Sequence, residues 1–329
     1  MSNKLINWGI IGCGAVTEKK SGPAFNKVPH SKLVAVMRRN AEKAADYALR
    51  HGVPRWYADA DKLIQDEEVN AIYIATPPDS HAYYTQMALE AGKPVYVEKP
   101  VTLHYASAIS MQELAAKHND RIVVAHYRRK WPQFEKVKSL LDDGIIGKPL
   151  MVQLRLFKKP LPPDALQKPG VAWRLNPAVS GGGLFHDLAP HQLDLLLHWF
   201  GPAGAVSGNS TNLGGYYEAP DTVNGSFSFE SGLQFTGQWC FCAPEFLEED
   251  SCEIIGSKGT IRCSIFGNHE VHCQTARGKM EFTFEPPEHN QIYMIEQVVN
   301  FFRGEAPNPC SIAEAAESMR IMDAFSNKR

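Results

Sequence analysis

Asp187 and His191 stand four residues apart in the stretch GGGLFHDLAPH (181–191), with three glycines just ahead of them and a second imidazole, His186, alongside. Positions four apart share one face of a helix, so a carboxylate and an imidazole at this spacing could act on one bound group. Four readings fit these residue types: a phosphate cradle, a metal centre, an acid/base pair, or a helix that happens to carry polar residues. Pro190 lies between the pair and permits the shared face only if it falls in the first turn of the helix. Asp194 extends the line to D-H-D, and with His186 this keeps a metal in view. No second cluster of ligating residues supports that option, so Asp194 reads better as a structural carboxylate, and no metal is expected.

A second group of glycines opens the chain. Gly12-Cys13-Gly14-Ala15-Val16-Thr17 follows the apolar run 5–11. A glycine at such a turn and another facing outward let a pyrophosphate approach backbone N–H groups at a helix N-terminus. Thr17 stands where the fingerprint has its third glycine, so the motif alone is weak. The next apolar run, 32–37, ends in Met37-Arg38-Arg39-Asn40 with no carboxylate. An acid near this place would hold the ribose 2′-hydroxyl of NAD, whereas Arg38 and Arg39 suit a 2′-phosphate. NADP is therefore expected over NAD, a solvated basic turn being the alternative.

These groups need a scaffold that can aim them. Short apolar runs at 5–11, 32–37, 71–75, 94–97 and 121–125 alternate with helical segments at 40–51, 80–91 and 105–119. That pattern predicts a doubly wound parallel sheet covered on both faces. From 149 onward the pattern changes. Runs at 149–157, 222–229, 233–242, 251–255, 259–264, 270–275 and 279–284 read as strands separated by Ser-Gly and Arg-Gly turns, with helices at 290–302 and 312–326. The chain is expected to form two domains, 1–125 and 126–329.

Composition sets the outer limits. The chain has 329 residues, 21% of them charged, and a formal net charge of −2, which gives no reason to expect nucleic acid or an anionic membrane as partner. No stretch of about 20 apolar residues is present to span a bilayer, and no leader peptide is evident. Seven cysteines without a CxxC pair suggest packing in a reduced, cytoplasmic setting, Cys240 and Cys242 included.

Three further motifs join the N-terminal glycines: Ala75-Thr76-Pro77-Pro78 with Ser80-His81, then Glu98-Lys99-Pro100, then Asp187 and His191 as D-x-x-x-H. In this order the chain resembles the glucose-fructose oxidoreductase / inositol dehydrogenase / rhizopine-catabolism (Gfo/Idh/MocA) family over essentially its whole length. The resemblance implies an α/β protein: an N-terminal Rossmann domain and a C-terminal α+β domain built on a large, mostly antiparallel open sheet. It further implies a pyridine nucleotide across the carboxyl edge of the parallel sheet, held by Gly12, Gly14, Ala15, Val16, Arg38, Arg39, Thr76, Pro77, His81, Glu98 and Lys99. Lys99 would otherwise read as a strand-end lysine reaching into water.

Oxidising a carbinol by hydride transfer requires a base for the hydroxyl proton, and histidine titrates in the right range. His191 is assigned as base in oxidation and acid in reduction, Asp187 as the orienting carboxylate, and Lys99 as the third catalytic member. Trp173 and Arg174 border the sugar pocket of the resembling family and could bind a pyranose; His186 divides evenly between substrate contact and packing. The expected protein is an NADP(H)-dependent oxidoreductase acting on a secondary alcohol or ketone of a sugar-like substrate. The alternatives are a glycoside hydrolase or lyase with a retained nucleotide and, more remotely, a non-enzymatic NADP-sensing regulator. A homodimer or homotetramer is expected, paired through an apolar, uncovered sheet face.

Overall fold

In the computed structural model, which describes residues 5–326, the chain divides into two compact units. The first runs to Arg128 and takes back the segment Pro287–Ala316; the second comprises Arg129–Pro286 and the chain from Glu317 onward. The expected division into contiguous domains at residue 125 is thereby corrected. The returning segment belongs to the first unit because its helix Ile292–Phe302 buries Met294, Ile295, Val298, Val299 and Phe302, and Phe302 lies 5.7 Å from the Trp8 ring.

The first unit is built on six strands: β1 (Ile6–Ile11), β2 (Ser31–Met37), β3 (Arg55–Tyr57), β4 (Ala71–Ile74), β5 (Val95–Val97) and β6 (Ile122–Val124). Their order is β3-β2-β1-β4-β5-β6, and every pair is parallel. β4, β5 and β6 are buried along their entire length, as expected of strands covered on both faces. The edge strand β3 carries no such apolar run, and the sequence reading does not anticipate it. Asn40 starts the helix Ala41–His51 by accepting the Lys43 N–H at 2.9 Å, and Gly52 ends it in the left-handed region. Strand order reverses between β1 and β4, so the carboxyl ends of these two strands diverge into the crevice where such sheets bind ligands.

The second unit holds an eight-stranded sheet of β7 (Pro149–Phe157), β8 (Ala203–Thr211), β9 (Thr222–Phe229), β10 (Gln234–Cys240), β11 (Glu249–Gly256), β12 (Gly259–Cys263), β13 (Glu270–Thr275) and β14 (Gly278–Thr283). The order is β14-β13-β12-β11-β7-β10-β9-β8; only β7 and β10 pair in parallel. β8 escapes the sequence reading because AGAVSGNST lacks the β-branched and aromatic residues that mark a strand. Its Gly208 aligns with Gly225 and Gly237 across three strands. A side chain on Gly225 would run into the Phe325 ring, so bare backbone forms the floor on which that ring sits. Side chains on the opposite face, among them Gln153, Arg155, Asn224, Thr236, Gln238 and Arg262, are exposed and polar or charged. The expected apolar patch is therefore corrected: this face is hydrophilic.

The helix Gly183–Phe200 packs on the inner face of the sheet. Phe185 meets Trp239 edge-on with ring centres 5.0 Å apart, and Gln192 Oε1 accepts the Trp239 indole N–H at 2.7 Å. Thirteen of its eighteen residues are buried, and that packing carries the helix through a residue that would break it in isolation. Pro190 is the eighth residue and not in the first turn, contrary to the condition set from sequence. It removes one backbone donor, yet Asp187 and His191 still lie on one continuous helix.

Candidate active site

In the first unit, the expected nucleotide residues gather at the carboxyl ends of β1, β2, β4 and β5. Gly12 has φ +94°, and a Cβ there would come within 2.7 Å of Thr76 Cγ2 and 2.9 Å of the Thr76 backbone nitrogen. Only glycine allows the turn after β1 to press against the exit of β4. Gly14 differs: a Cβ there would meet nothing closer than the Gly12 carbonyl at 3.8 Å. One glycine is needed for packing; the other keeps a space open before the first N–H groups of the helix Ala15–Lys19. That space and those donors fit a pyrophosphate. Thr17, in place of a third glycine, turns its hydroxyl inward to donate to the Gly14 carbonyl at 2.9 Å. Cys13 is fully buried, and burial pushes its thiol up to about 11, so it serves packing.

Arg38 follows β2 and extends one guanidinium nitrogen to 3.4 Å from the Cys13 carbonyl, which places its charge beside the glycine turn. Arg39 is exposed. Ser80 closes the turn after β4 by donating to Thr76 Oγ1 and to the Pro77 carbonyl, each at 2.9 Å. Thr76 and Pro77 are both half-buried.

Two expected nucleotide contacts prove to be interior groups. Glu98 is 6% exposed. Its carboxylate accepts the Tyr73 hydroxyl at 2.6 Å, the Gln291 amide at 2.5 Å and the Lys99 backbone N–H at 3.2 Å. Tyr96 donates to the other end of the Gln291 amide at 2.8 Å. Burial, followed by the Glu98 charge, raises both tyrosine pKa values well above the usual range. Each phenol therefore stays protonated and serves as a fixed donor. His81 is fully buried, with its ring nitrogens 2.8 Å from the Thr76 carbonyl and 3.1 and 3.2 Å from the Pro100 and Val101 carbonyls. His81 and Glu98, both expected as cofactor contacts, thus make the bonds described here within the unit. Lys99 is half-buried and lies two residues beyond the end of β5.

In the second unit, the Gly183–Phe200 helix places Asp187 and His191 one turn apart. His191 is 5% exposed and lies 5.8 Å from the Phe266 ring, edge to face. Asp187 is more open, and Arg174 reaches it from the short helix Pro169–Leu175 at 3.1 Å. The Arg174 guanidinium also lies over the Trp173 ring, 4.6 Å from its centre, and donates to the Gly170 carbonyl. Trp173, Arg174 and Asp187 thus form one cluster. His186 goes elsewhere: it is fully buried, and a side chain on Gly182 would occupy the position of its ring. Of the two roles weighed for His186, substrate contact and packing, this burial supports packing.

Glycines around this helix answer a packing need. Gly183 has φ +72°, and a Cβ there would fall 2.5 Å from the Ala219 side chain. The first N–H groups at the glycine turn are met by Ser180 Oγ, 3.1 Å from Gly183 N. One turn beyond His191, Asp194 accepts two parallel hydrogen bonds from Arg129 at 2.7 and 2.9 Å, with both side chains almost wholly buried. Arg129 reads from sequence, with Tyr127 and Arg128, as part of a segment near the nicotinamide or a basic linker; its pairing with Asp194 leaves no local signal because the two lie far apart in the chain. Among the described residues, no group of three or more His, Cys, Asp or Glu is arranged to hold a metal ion. No helix among them is long and apolar enough to cross a membrane.

Comparison with known proteins agrees with this layout. Residues 6–126 match the family described as "Oxidoreductase family, NAD-binding Rossmann fold", and residues 134–262 match "GFO/IDH/MocA C-terminal domain". The chain is 44% identical over 321 residues to Oxidoreductase P35 of Formosa agariphila, covering 97% of this chain and 98% of that one. It is 27% identical over 256 residues to 1,5-anhydro-D-fructose reductase of Ensifer adhaerens, covering 77% and 74% respectively. The fold is shared with levoglucosan dehydrogenase, solved in complex with NADH and levoglucosan, at a TM-score of 0.86 and 21% identity over 99% of this chain and 97% of that one.

Proposed function

Because the chain belongs to the Gfo/Idh/MocA family of NAD(P)-dependent oxidoreductases, we propose that it moves a hydride between NADP(H) and a secondary alcohol or ketone of a sugar or sugar derivative. The observation that carries this reading is the placement of Asp187 and His191 on one continuous helix, with Arg174 and Trp173 gathered at Asp187. The relatives named as acting on an anhydro-sugar support the substrate class.

Backbone N–H groups from Gly14, Ala15 and Val16 hold the pyrophosphate, with Gly12 shaping the turn. Arg38 and Arg39 face the 2′-phosphate, and Thr76 and Pro77 flank the nucleotide. The nicotinamide, when bound, supplies the hydride chemistry. His191 takes the hydroxyl proton in oxidation and returns it in reduction. Asp187 accepts a hydrogen bond from a substrate hydroxyl and fixes its direction, with the Arg174 charge balancing its own. Lys99 donates a hydrogen bond to the reacting oxygen. Trp173 offers an apolar face to the sugar ring.

The test is a panel of sugars and keto-sugars assayed with both nucleotides at the reduced-nicotinamide absorbance, for the wild type, Arg38→Asp and His191→Ala. The first variant is expected to lower NADP affinity by roughly tenfold to a hundredfold, the range of a lost charged hydrogen bond, with NAD affected less. His191→Ala is expected to lower kcat by roughly a hundredfold to ten-thousandfold. Equal affinity for both nucleotides, unmoved by Arg38→Asp, would remove the 2′-phosphate assignment. Unchanged turnover in His191→Ala would remove the acid/base assignment.

A further inference from the structure

The loop 264–269 joins β12 to β13, and one carboxylate organises its first half. Asp250, the second residue of β11, accepts the backbone N–H of Ile265 on Oδ1 at 3.3 Å and those of Phe266 and Gly267 on Oδ2 at 2.5 and 2.7 Å. Ser264 donates its hydroxyl to the Asp250 carbonyl at 3.0 Å. Three successive N–H groups converging on one carboxylate fix the backbone that carries them. Gln133, only 2% exposed, steadies the two ends of the same loop: its amide nitrogen lies 3.0 Å from the Ser264 carbonyl, 3.4 Å from that of Asn268 and 3.3 Å from that of Glu270.

Phe266 is the middle residue of the three and is half-buried. Its ring centre stands 5.8 Å from that of His191, with the two planes 70° apart, and both residues belong to the second unit. A histidine side chain has a broad choice of ring torsion, whereas a base must hold one nitrogen within hydrogen-bond reach of the proton that it takes. An edge-to-face neighbour narrows that choice, because turning the imidazole gives up the favoured ring contact. It can do so only if the neighbour is itself fixed, and Asp250 holds Phe266 at its own backbone.

We propose that Asp250 is a positioning residue of the reaction: it sets the backbone of Phe266, whose ring then keeps the His191 imidazole in one orientation. The kinetic consequence rests on the acid/base role proposed for His191; the geometric link does not.

The variants Asp250→Asn, Asp250→Glu, Phe266→Ala and the double variant Asp250→Asn/Phe266→Ala test this. Asparagine puts an amide nitrogen in place of one acceptor oxygen, while glutamate keeps the charge and moves it by one methylene. Each variant is read by kcat, by nucleotide dissociation constant and by the Cε1–H NMR signal of His191, identified by its absence in His191→Ala. Phe266→Ala is expected to shift the His191 signal and lower kcat about tenfold, with nucleotide affinity unchanged. Both single Asp250 variants are expected to shift the signal and lower kcat several-fold. In the Phe266→Ala background, Asp250→Asn is expected to add no further loss of kcat, since the ring through which it acts is gone. Far-UV circular dichroism confirms the fold of each, and the two substitutions at Asp250 keep that position testable if one of them does not fold.

If Asp250→Asn costs the same factor in kcat in the Phe266→Ala background as in the wild type, Asp250 does not act through the ring and the proposal is overturned. A His191 signal that stays in place in Phe266→Ala overturns it as well. Shifted His191 signals together with full turnover in His191→Ala would instead uphold the geometric link and overturn the acid/base role of His191.

Discussion

Arg50 holds Glu18 through two parallel hydrogen bonds at 2.8 and 2.9 Å, and His51 adds a third contact at 2.8 Å. Glu18 sits on the short helix after the glycine turn, so these contacts fix the first helix of the nucleotide site to the end of the Ala41–His51 helix. The Arg50 hydrogen bonds are the main cause that pulls the Glu18 carboxyl from 4.5 down to about 2. A carboxyl with a lowered folded-state pKa contributes stability that is present above its unfolded value and lost as pH falls through the folded one. Glu18→Gln is therefore expected to melt below the wild type near neutral pH, with the gap closing between about pH 4.5 and 2. Melting temperature against pH for the two proteins measures this; a gap independent of pH would show that the charge is not what stabilises. About a third of the Glu18 side chain is exposed, so solvent screening keeps the gap small.

At the scale of an element, the Gly183–Phe200 helix is held by contacts just beyond His191. Gln192 is fixed by Trp239, and Asp194 by Arg129. Each member of this ion pair is almost wholly buried, so removing one leaves a charge in the interior, which costs about 3–5 kcal/mol. Asp194→Ala is expected to destabilise by that order in urea denaturation and to lower kcat, since His191 lies less than one turn away. Replacing both members by apolar residues is expected to recover most of the stability, because the lone charge is then gone. If the double variant is as unstable as Asp194→Ala, packing and not charge accounts for the loss.

For the whole molecule, the decisive feature is that the chain leaves the first unit after Arg128 and comes back to it at Pro287. Tyr73, Tyr96 and Glu98 complete their hydrogen bonds only with Gln291. Without the returning segment, Trp8 also loses the Phe302 ring against it. A fragment ending at Arg128 is expected to remain without a cooperative melting transition, whereas the same fragment joined by a flexible linker to 287–316 is expected to show one. A fragment that melts cooperatively alone would mean that the parallel sheet is self-sufficient. The polar outer face of the large sheet bears on the proposed homo-oligomer as well: pairing there would proceed through hydrogen bonds and charges rather than apolar contact.

What the sequence determined by itself are the features written in local patterns. Five of the six parallel strands were legible because burial on both faces demands unbroken apolar runs, and the sixth, β3, is too exposed to leave that mark. Gly12, Gly14 and the paired Asp187 and His191 were legible because turn geometry and helical spacing act over a few residues. Tertiary structure alone decided what lies far apart in the chain. It brought Gln291 to Glu98, Arg129 to Asp194, Arg174 to Asp187 and Phe325 to Gly225. It also turned His81, Glu98 and His186 inward, although their residue types suit a ligand as well as a core. Whether a polar side chain faces a ligand or the interior depends on which distant segment covers it, and periodicity holds no record of that.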